Sequence, residues 1–425
     1  MKALRTISLI VLVALLVAAP GALRTSAQDE ITLTFLSWQV DEAVGEWWRA
    51  AIAEFEATHP GVKIEFTKVG RDVYADTFLT LFAAGTPPDI VHLASFEFQR
   101  FAEEGWLEDL TPYIEESGLD LEGWSGQEIC HWKGTIPCIL LQYFGFVMVY
   151  NQAMFDEAGL EVPTTPEAYM EAARLLTKDT DGDGITDQFG TSHHTTSGSQ
   201  YMVEVDNYVF GLGGNWTNAE GEVTINTPEV IQALEMWKEV NQERLTPLDL
   251  SSGEIRQMVI EGKIAMRLDG PWIWGSVKQA APEILEQLKF APVPFPIPVG
   301  GGSNVIAIPV DISEERKQLV WEFIELITSY DWQVQYGLTV GQPAPRPNTI
   351  TEEYYEVLPH IDLLLEMQNI ASAHGIDRAP KGLEVYFNEF AKIVFDELQA
   401  MIIRDEDPAV VAERLQAAAE SLKNQ

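Results

Sequence analysis

Four aspartates, Asp179, Asp181, Asp183 and, beyond Gly184, Asp187, could ligate a hard cation through oxygen. They fall at relative positions one, three, five and nine of a calcium loop, but Gly190 stands where the bidentate glutamate of position twelve belongs. The segment is expected either to hold a structural calcium completed by other residues or to form an acidic surface turn. The two cysteines, Cys130 and Cys138, stand in CHWKGTIPC, with Lys133-Gly134 midway as a hairpin turn would be. In an oxidising compartment that spacing predicts one disulfide. As metal ligands the pair would have only His131 beside it, fewer donors than a tetrahedral site needs. His193-His194 is the one histidine pair, and adjacent side chains point differently, so it reads as a solvated loop. There is no G-x-S-x-G elbow, H-E-x-x-H, Walker A loop or dinucleotide glycine fingerprint. Paired carboxylates for glycoside hydrolysis stay open among 65 acids, because their separation is a spatial fact. The balance favours binding over turnover, with no catalytic residue assigned.

These residues need a frame of some size. A chain of 425 residues exceeds one hydrophobic core, so two lobes are expected. The formal charge of −38 argues against nucleic acid and against an anionic membrane surface as partners. Lys2 and Arg5 precede the apolar run Ile7 to Ala19, and Thr25-Ser26-Ala27 offers small residues for cleavage; residues 1–27 read as a secretory signal. No lipobox cysteine follows. A periplasmic or extracellular monomer, without stable membrane insertion after cleavage, is the expectation. From Ile31 the pattern runs strand, helix, strand, helix, strand through Leu93, which predicts α/β layers with a largely parallel sheet. Thr165-Pro166, Thr227-Pro228 and Ser313-Glu314 each open a later helix. Between them Ala291 to Ser303, rich in Pro and Gly, is the best crossing segment.

Several segments, read in order, carry a family resemblance. They are Gly85-Thr86-Pro87-Pro88-Asp89-Ile90, then Tyr150-Asn151 through Phe155 with Ala158-Gly159-Leu160 and Pro163. Gly262-Lys263-Ile264-Ala265-Met266 with Asp269-Gly270-Pro271-Trp272 follows, and last Gly341 to Arg346. The set resembles the extracellular solute-binding proteins of ABC importers, within the carbohydrate-binding group that contains maltose-binding protein. The resemblance implies an α/β, two-lobe periplasmic-binding-protein fold with discontinuous lobes joined by a multi-strand hinge. Lobe 1 would be 28–143 and 300–343, and lobe 2 would be 147–299 and 347–425. The crossings would lie near 143–146, 296–303 and 341–346. It further implies capture of a sugar or oligosaccharide between the lobes and delivery to an ABC permease. A secreted glycoside hydrolase or lyase, or a binder of a glycerol phosphodiester or peptide, is the alternative.

A sugar site needs flat aromatics for C–H faces, with carboxylates and amides for the hydroxyl rim. Trp38 follows the first strand at its carboxyl end, where open α/β sheets bind ligands, and Ser95, Phe96 and Glu97 follow the third in the same way. Tyr143 and Phe144 lie at the first crossing. The resemblance adds Trp272, Trp274 two residues on, Arg346 and Tyr386. Phe96 and Phe144 replace polar groups of maltose-binding protein, which speaks against maltose itself. Trp47, Trp48, Trp237 and Trp321 read as helix packing, and Trp216 as a loop aromatic.

Overall fold

The structure, a computed structural model, describes residues 30–42, 44–196, 199–375 and 378–425; the expected signal segment 1–27 lies outside them. The strands are β1 (Ile31–Ser37), β2 (Val62–Lys68), β3 (Val91–Ala94), β4 (Ile139–Leu140), β5 (Tyr143–Gly145) and β6 (Val147–Asn151). The later ones are β7 (Met266–Asp269), β8 (Leu288–Ala291), β9 (Gly300–Gly302) and β10 (Asn304–Ala307). In lobe 1, β1 and β2 pair in parallel, the Phe35–Ile90 bridge joins them to β3, and β10 runs antiparallel between β3 and β4. In lobe 2, β6 pairs antiparallel with both β7 and β8. The expectation of a largely parallel sheet is thus corrected. Only the first strands are joined by helical crossovers, whereas β10 returns from lobe 2 in the opposite sense and pairs antiparallel.

Caps set the helix starts as the sequence indicates. The Thr165 side chain accepts from the Ala168 amide, Thr227 from Val230 and Ser313 from Arg316, satisfying first-turn N–H groups. Helices Val44–Thr58 and Glu314–Thr328 lay Trp48, Phe55, Phe323 and Ile327 into one lobe 1 core. Trp47, Trp48, Trp237 and Trp321 are all buried in this packing or its lobe 2 counterpart. Trp216 belongs to the lobe 2 core too; its indole donates to Asp206 at 2.7 Å. Helices Phe387–Arg404 and Pro408–Lys423 complete lobe 2 against Ser199–Val209 and Pro228–Gln242.

Between the lobes, β5 and β9 run antiparallel, with Phe144 facing Gly301 and Gly145 facing Gly300. Helix Ile361–His374 lies on this pair, and small residues permit it. A Cβ on Gly145 would come within 2.3 Å of the Met367 carbonyl carbon, and one on Gly300 within 2.4 Å of the Ala371 Cβ. Lys133 and Gly134 both take positive φ, and Trp132 bridges Thr135, so the hairpin between the cysteines forms. It brings Cys130 and Cys138 side by side, as reduced thiols fully buried in a lobe 1 core, next to each other as the expected disulfide would need. Burial, with the neighbouring Cys130 sulfur, pushes the reduced Cys138 thiol well above the usual range.

Two stability outcomes follow from this packing. Gly145→Ala should cost about 1–3 kcal/mol by overpacking the hinge against backbone; an unchanged urea midpoint would show that helix 361–374 is not seated there. Asp206 is fully buried, and burial pushes its carboxyl up to about 7 against the pull of the Trp216 indole and Arg378. The unfolded chain releases that proton near pH ~3.9, so the folded state binds more protons between these values. Stability from this group is full below the unfolded value and is lost as pH rises through about 7. Asp206→Asn keeps an acceptor for Trp216 and should gain roughly 2–4 kcal/mol over the parent above neutrality, with little difference near pH ~4. Parallel unfolding curves for the two proteins across that range would refute the buried neutral acid.

Candidate functional site

A cavity of about 550 Å³ opens between the lobes. Its lobe 1 wall comes from the carboxyl ends of β1, β2 and β3, carrying Trp38, Glu42, Arg71 and Phe96. Its lobe 2 wall comes from β7, helix Ser252–Ile260 and helix 199–209, carrying Arg256, Asp269, Trp272 and Glu204. Trp38 and Trp272 are each half-buried and each pack against cores of both lobes. They are therefore the aromatics on which the two walls meet.

Trp38 is fixed from behind. Its indole stacks on His92 at 4.2 Å, meets Tyr74 edge-on, and carries the Arg71 guanidinium over its ring at 4.8 Å. Burial, aided by Arg71, lowers His92 to about 3, so the imidazole beneath the indole stays neutral. Trp272 is fixed by a different device. Its indole folds back over Gly270, where any Cβ would come within 2.3 Å of the ring, and Phe144 and Phe146 meet it edge-on. The Trp272 Nε1 donates to Asp269 Oδ1 at 2.8 Å, as does the Gly270 amide.

Asp269 is the hub of the lobe 2 wall. Arg256 donates to both of its oxygens, at 2.8 and 3.0 Å, and Arg267 Nε lies 3.3 Å from Oδ2. Arg267 is in turn forked onto Glu204, at 3.0 and 2.5 Å, and donates to the Ser192 carbonyl. Burial works to raise the Asp269 carboxyl, but Arg256 and Arg267 outweigh it and hold the group below the usual range. Glu204 differs: burial wins over Arg267, and its carboxyl is raised. Glu42, opposite in lobe 1, is exposed to the open cleft; the crowding of the two walls raises its carboxyl, against the pull of Arg256 and Arg71.

The histidine pair corrects the sequence reading of a solvated loop, since both rings are buried. His193 stacks on Trp237 and lies 2.7 Å from the Tyr208 hydroxyl. His194 faces the cavity; the Ser252 amide donates to its Nδ1, which leaves Nε2–H to donate to the Thr196 hydroxyl at 2.9 Å. Burial and then Arg267 lower His193 to about 3 and His194 to about 4, so both rings are neutral in ordinary buffers.

Of the residues picked from sequence, Trp38, Phe96 and Trp272 line this cavity. Phe144 stands behind Trp272 as its support. Glu97 is buried beside the cavity, accepting from Arg71 at 2.9 Å and from the Ser199 hydroxyl of lobe 2 at 3.1 Å. Ser95 donates to the Gly302 carbonyl at 2.6 Å and so ties β3 to the hinge; the Tyr143 ring lies under the hinge against Gly126. Three others are not brought to the cleft. Trp274 turns away between Phe290 and His360. Arg346 lies over Trp124 and donates to the Thr328 carbonyl at 2.6 Å, outside the cavity lining. Tyr386 caps helix 387–404 outside the cavity lining.

Sequence reasoning missed Glu42, Arg71, His194, Glu204, Arg256, Arg267, Asp269 and Arg378, all of which line the cavity. One signal was available: Arg267-x-Asp269 alternates on β7 directly before the matched Gly-Pro-Trp, which places two opposite charges on one strand face. In the aspartate loop, Asp179, Asp181 and Asp183 bring oxygens within 4.8 Å of one another, all exposed. Asp187 is spent differently, accepting from the Thr180 amide and hydroxyl. The Gly182 and Gly184 amides donate to Asp179, so the loop holds its own shape.

Comparison with known proteins agrees with this geometry. Over nearly its full length the chain is similar to a putative binding protein of Brucella abortus (strain 2308), 20% identical across 94% of this chain and 95% of that one. It is 24% identical to the diacetylchitobiose binding protein DasA of Streptomyces coelicolor over 70% of this chain and 69% of its relative. The fold matches maltose-bound T. maritima MalE3 with a TM-score of 0.78, at 20% identity, covering 92% of this chain and 99% of that structure. Such a match shows a two-lobe binding-protein architecture. Residues 40–334 match the family model of the bacterial extracellular solute-binding proteins, and with most of its length so matched the chain belongs to that family.

Proposed function

We propose that the protein captures a sugar or oligosaccharide in the interlobe cleft and delivers it, as a monomer outside the cytoplasmic membrane, to an ABC transporter permease. The observation that carries this reading is the cavity of about 550 Å³ between two tryptophans, with a rim of already partnered polar groups. Five cations line it, Lys68, Arg71, Arg256, Arg267 and Arg378, against four acids, Asp41, Glu42, Glu204 and Asp269. Glu97, paired with Arg71 just behind, makes the count five against five. In a chain of charge −38 this local balance suits an uncharged ring whose hydroxyls both donate and accept. Relatives named for diacetylchitobiose and maltose support the same ligand class. Among the described residues no helix is long and apolar enough to cross a membrane, as a released binding protein requires.

The protein acts by binding and not by turnover. Glu204 and Asp269 are held by arginines, which leaves neither free to cycle a proton as glycoside hydrolysis demands. Oligosaccharides incubated with pure protein should be recovered unchanged by mass spectrometry. Trp272→Ala should weaken sugar binding by about 2–4 kcal/mol, the range of a desolvated aromatic anchor. The variant should still fold, because Trp272 borders open space on the cleft side; calorimetric affinity equal to the parent's would place the sugar elsewhere.

For the aspartate loop we propose a structural calcium site built on Asp179, Asp181 and Asp183. Saturating calcium should raise the melting temperature by mass action, and Asp181→Asn should abolish that rise. An identical melting curve with calcium and with chelator would leave a turn held only by its own amides.

A further inference from the structure

Cys130 and Cys138 are the only cysteines of the chain, so each has one possible partner within it. Both are fully buried, and the Cys130 sulfur is the hydrogen-bonding neighbour of the Cys138 thiol. Contacts outside the pair hold them together. Lys133 and Gly134 turn the chain between them, and Trp132 pairs with Thr135 across that turn. Gln127, one turn of 3-10 helix before Cys130, donates to the Cys138 carbonyl at 3.3 Å and accepts from the Leu140 amide at 2.8 Å. The Lys133 ammonium and the Trp132 indole both reach Glu103, at 2.7 and 3.1 Å. Among the described residues no third histidine, aspartate or glutamate gathers with the two sulfurs, and His131 is exposed with its Nδ1 on the Glu128 carbonyl. A metal lacks its ligands there, which leaves a bond between the sulfurs as the chemistry of the pair. The segment also supports the joint between the lobes. A Cβ on Gly302 of β9 would come within 2.0 Å of Ile129, and one on Gly126 within 2.1 Å of the Tyr143 ring of β5.

We propose that Cys130 and Cys138 are joined as a disulfide in the secreted protein, made before the chain folds, and that the bond fastens segment 126–138 beneath the hinge. The two thiols give up two protons and two electrons. The electrons pass to the disulfide of a thiol oxidoreductase outside the cytoplasmic membrane, which becomes a dithiol as the new S–S bond forms. The order of events follows from burial. Exchange needs a thiolate to reach a sulfur, and neither sulfur can be reached once the core that holds Tyr74, Phe78 and Val305 has closed around them. The same closure protects the bond afterwards, so a reductant acts only on chains that open. Membership of the bacterial extracellular solute-binding proteins supplies the setting, because disulfides form and persist in secreted proteins. Neither cysteine lines the cleft, so the inference stands apart from the sugar reading.

The test uses the full chain exported into a bacterial periplasm, then unfolded in guanidinium with an alkylating agent and no reductant. The expected intact mass is that of the chain short of two hydrogens and free of alkyl adducts, whereas reduction in guanidinium beforehand should give two adducts. Reductant applied to the folded protein should leave the bond intact. Once reduced and refolded, the protein should melt about 3–6 °C below the oxidised form. The double variant Cys130→Ala with Cys138→Ala should melt alike with and without reductant, which separates the bond from the packing of the side chains. Two adducts on the unreduced exported chain, or a disulfide-linked dimer, overturn the inference. So do adducts after reduction of the folded protein, or equal melting temperatures for the oxidised and reduced forms. None of these outcomes bears on sugar binding, which its own titration decides.

Discussion

The carboxylate of Asp269 is the point on which the site depends. It sits at the last residue of β7, out of contact with water, and takes donors from Arg256, Arg267, the Gly270 amide and the Trp272 indole. A buried ion costs several kcal/mol of hydration, and attraction repays that only where geometry is good and every lone pair is used. Here the condition is met by a chain of alternating charges, Glu204, Arg267, Asp269 and Arg256, that sums to zero and is fastened to the Ser192 carbonyl. Removing one member would strand its neighbours. The same carboxylate that settles this chain also aims the cleft tryptophan, so the wall's electrostatics and its stacking surface are one structure.

The lobes share little covalent connection, and the space between them is defined by how closely those few segments pack. β5 and β9 lie side by side with glycines at Gly145 and Gly300–Gly302, which lets helix 361–374 press onto them. Ser95 ties the lobe 1 sheet to this pair through Gly302. Contacts across the gap include the Ser199 hydroxyl on Glu97, the Phe387 ring on Phe96, and the packing of Trp38 and Trp272 against cores of both lobes. A tight hinge of a few packed segments is the arrangement in which lobes can rotate as bodies about the joined strands. The cleft then offers polar groups already oriented by their own lobe, so a ligand need not order them.

Much of this frame could be read along the chain. Local rules were enough for β1 and β2, for the helices opened by Thr165, Thr227 and Ser313, and for the turn at Lys133-Gly134, because each depends on neighbours a few residues apart. Ordered motifs located Trp272, and strand ends located Trp38 and Phe96. Elsewhere local reading failed for a common reason. Trp274 is two residues from Trp272, yet that step rotates it about 200° around the helix, to Phe290 and His360 instead of the cleft. His193-His194 is polar and sits in a loop, yet Tyr208, Trp237 and Ser252, distant in sequence, enclose it.

What the chain determined by itself, then, was its class: helix and strand periods, caps, and a family's ordered motifs, all set by short-range sterics and hydrogen bonding. What only the tertiary structure decided was the electrostatics of the cleft. Arg71, Arg256 and Arg267 are unremarkable in a sequence with 27 basic residues, and Glu42, Glu204 and Asp269 are lost among 65 acids. Their pairing joins positions up to 63 residues apart, as between Glu204 and Arg267. Charge interactions act through space and depend on burial, and neither distance nor burial is carried by the spacing of residues along the chain.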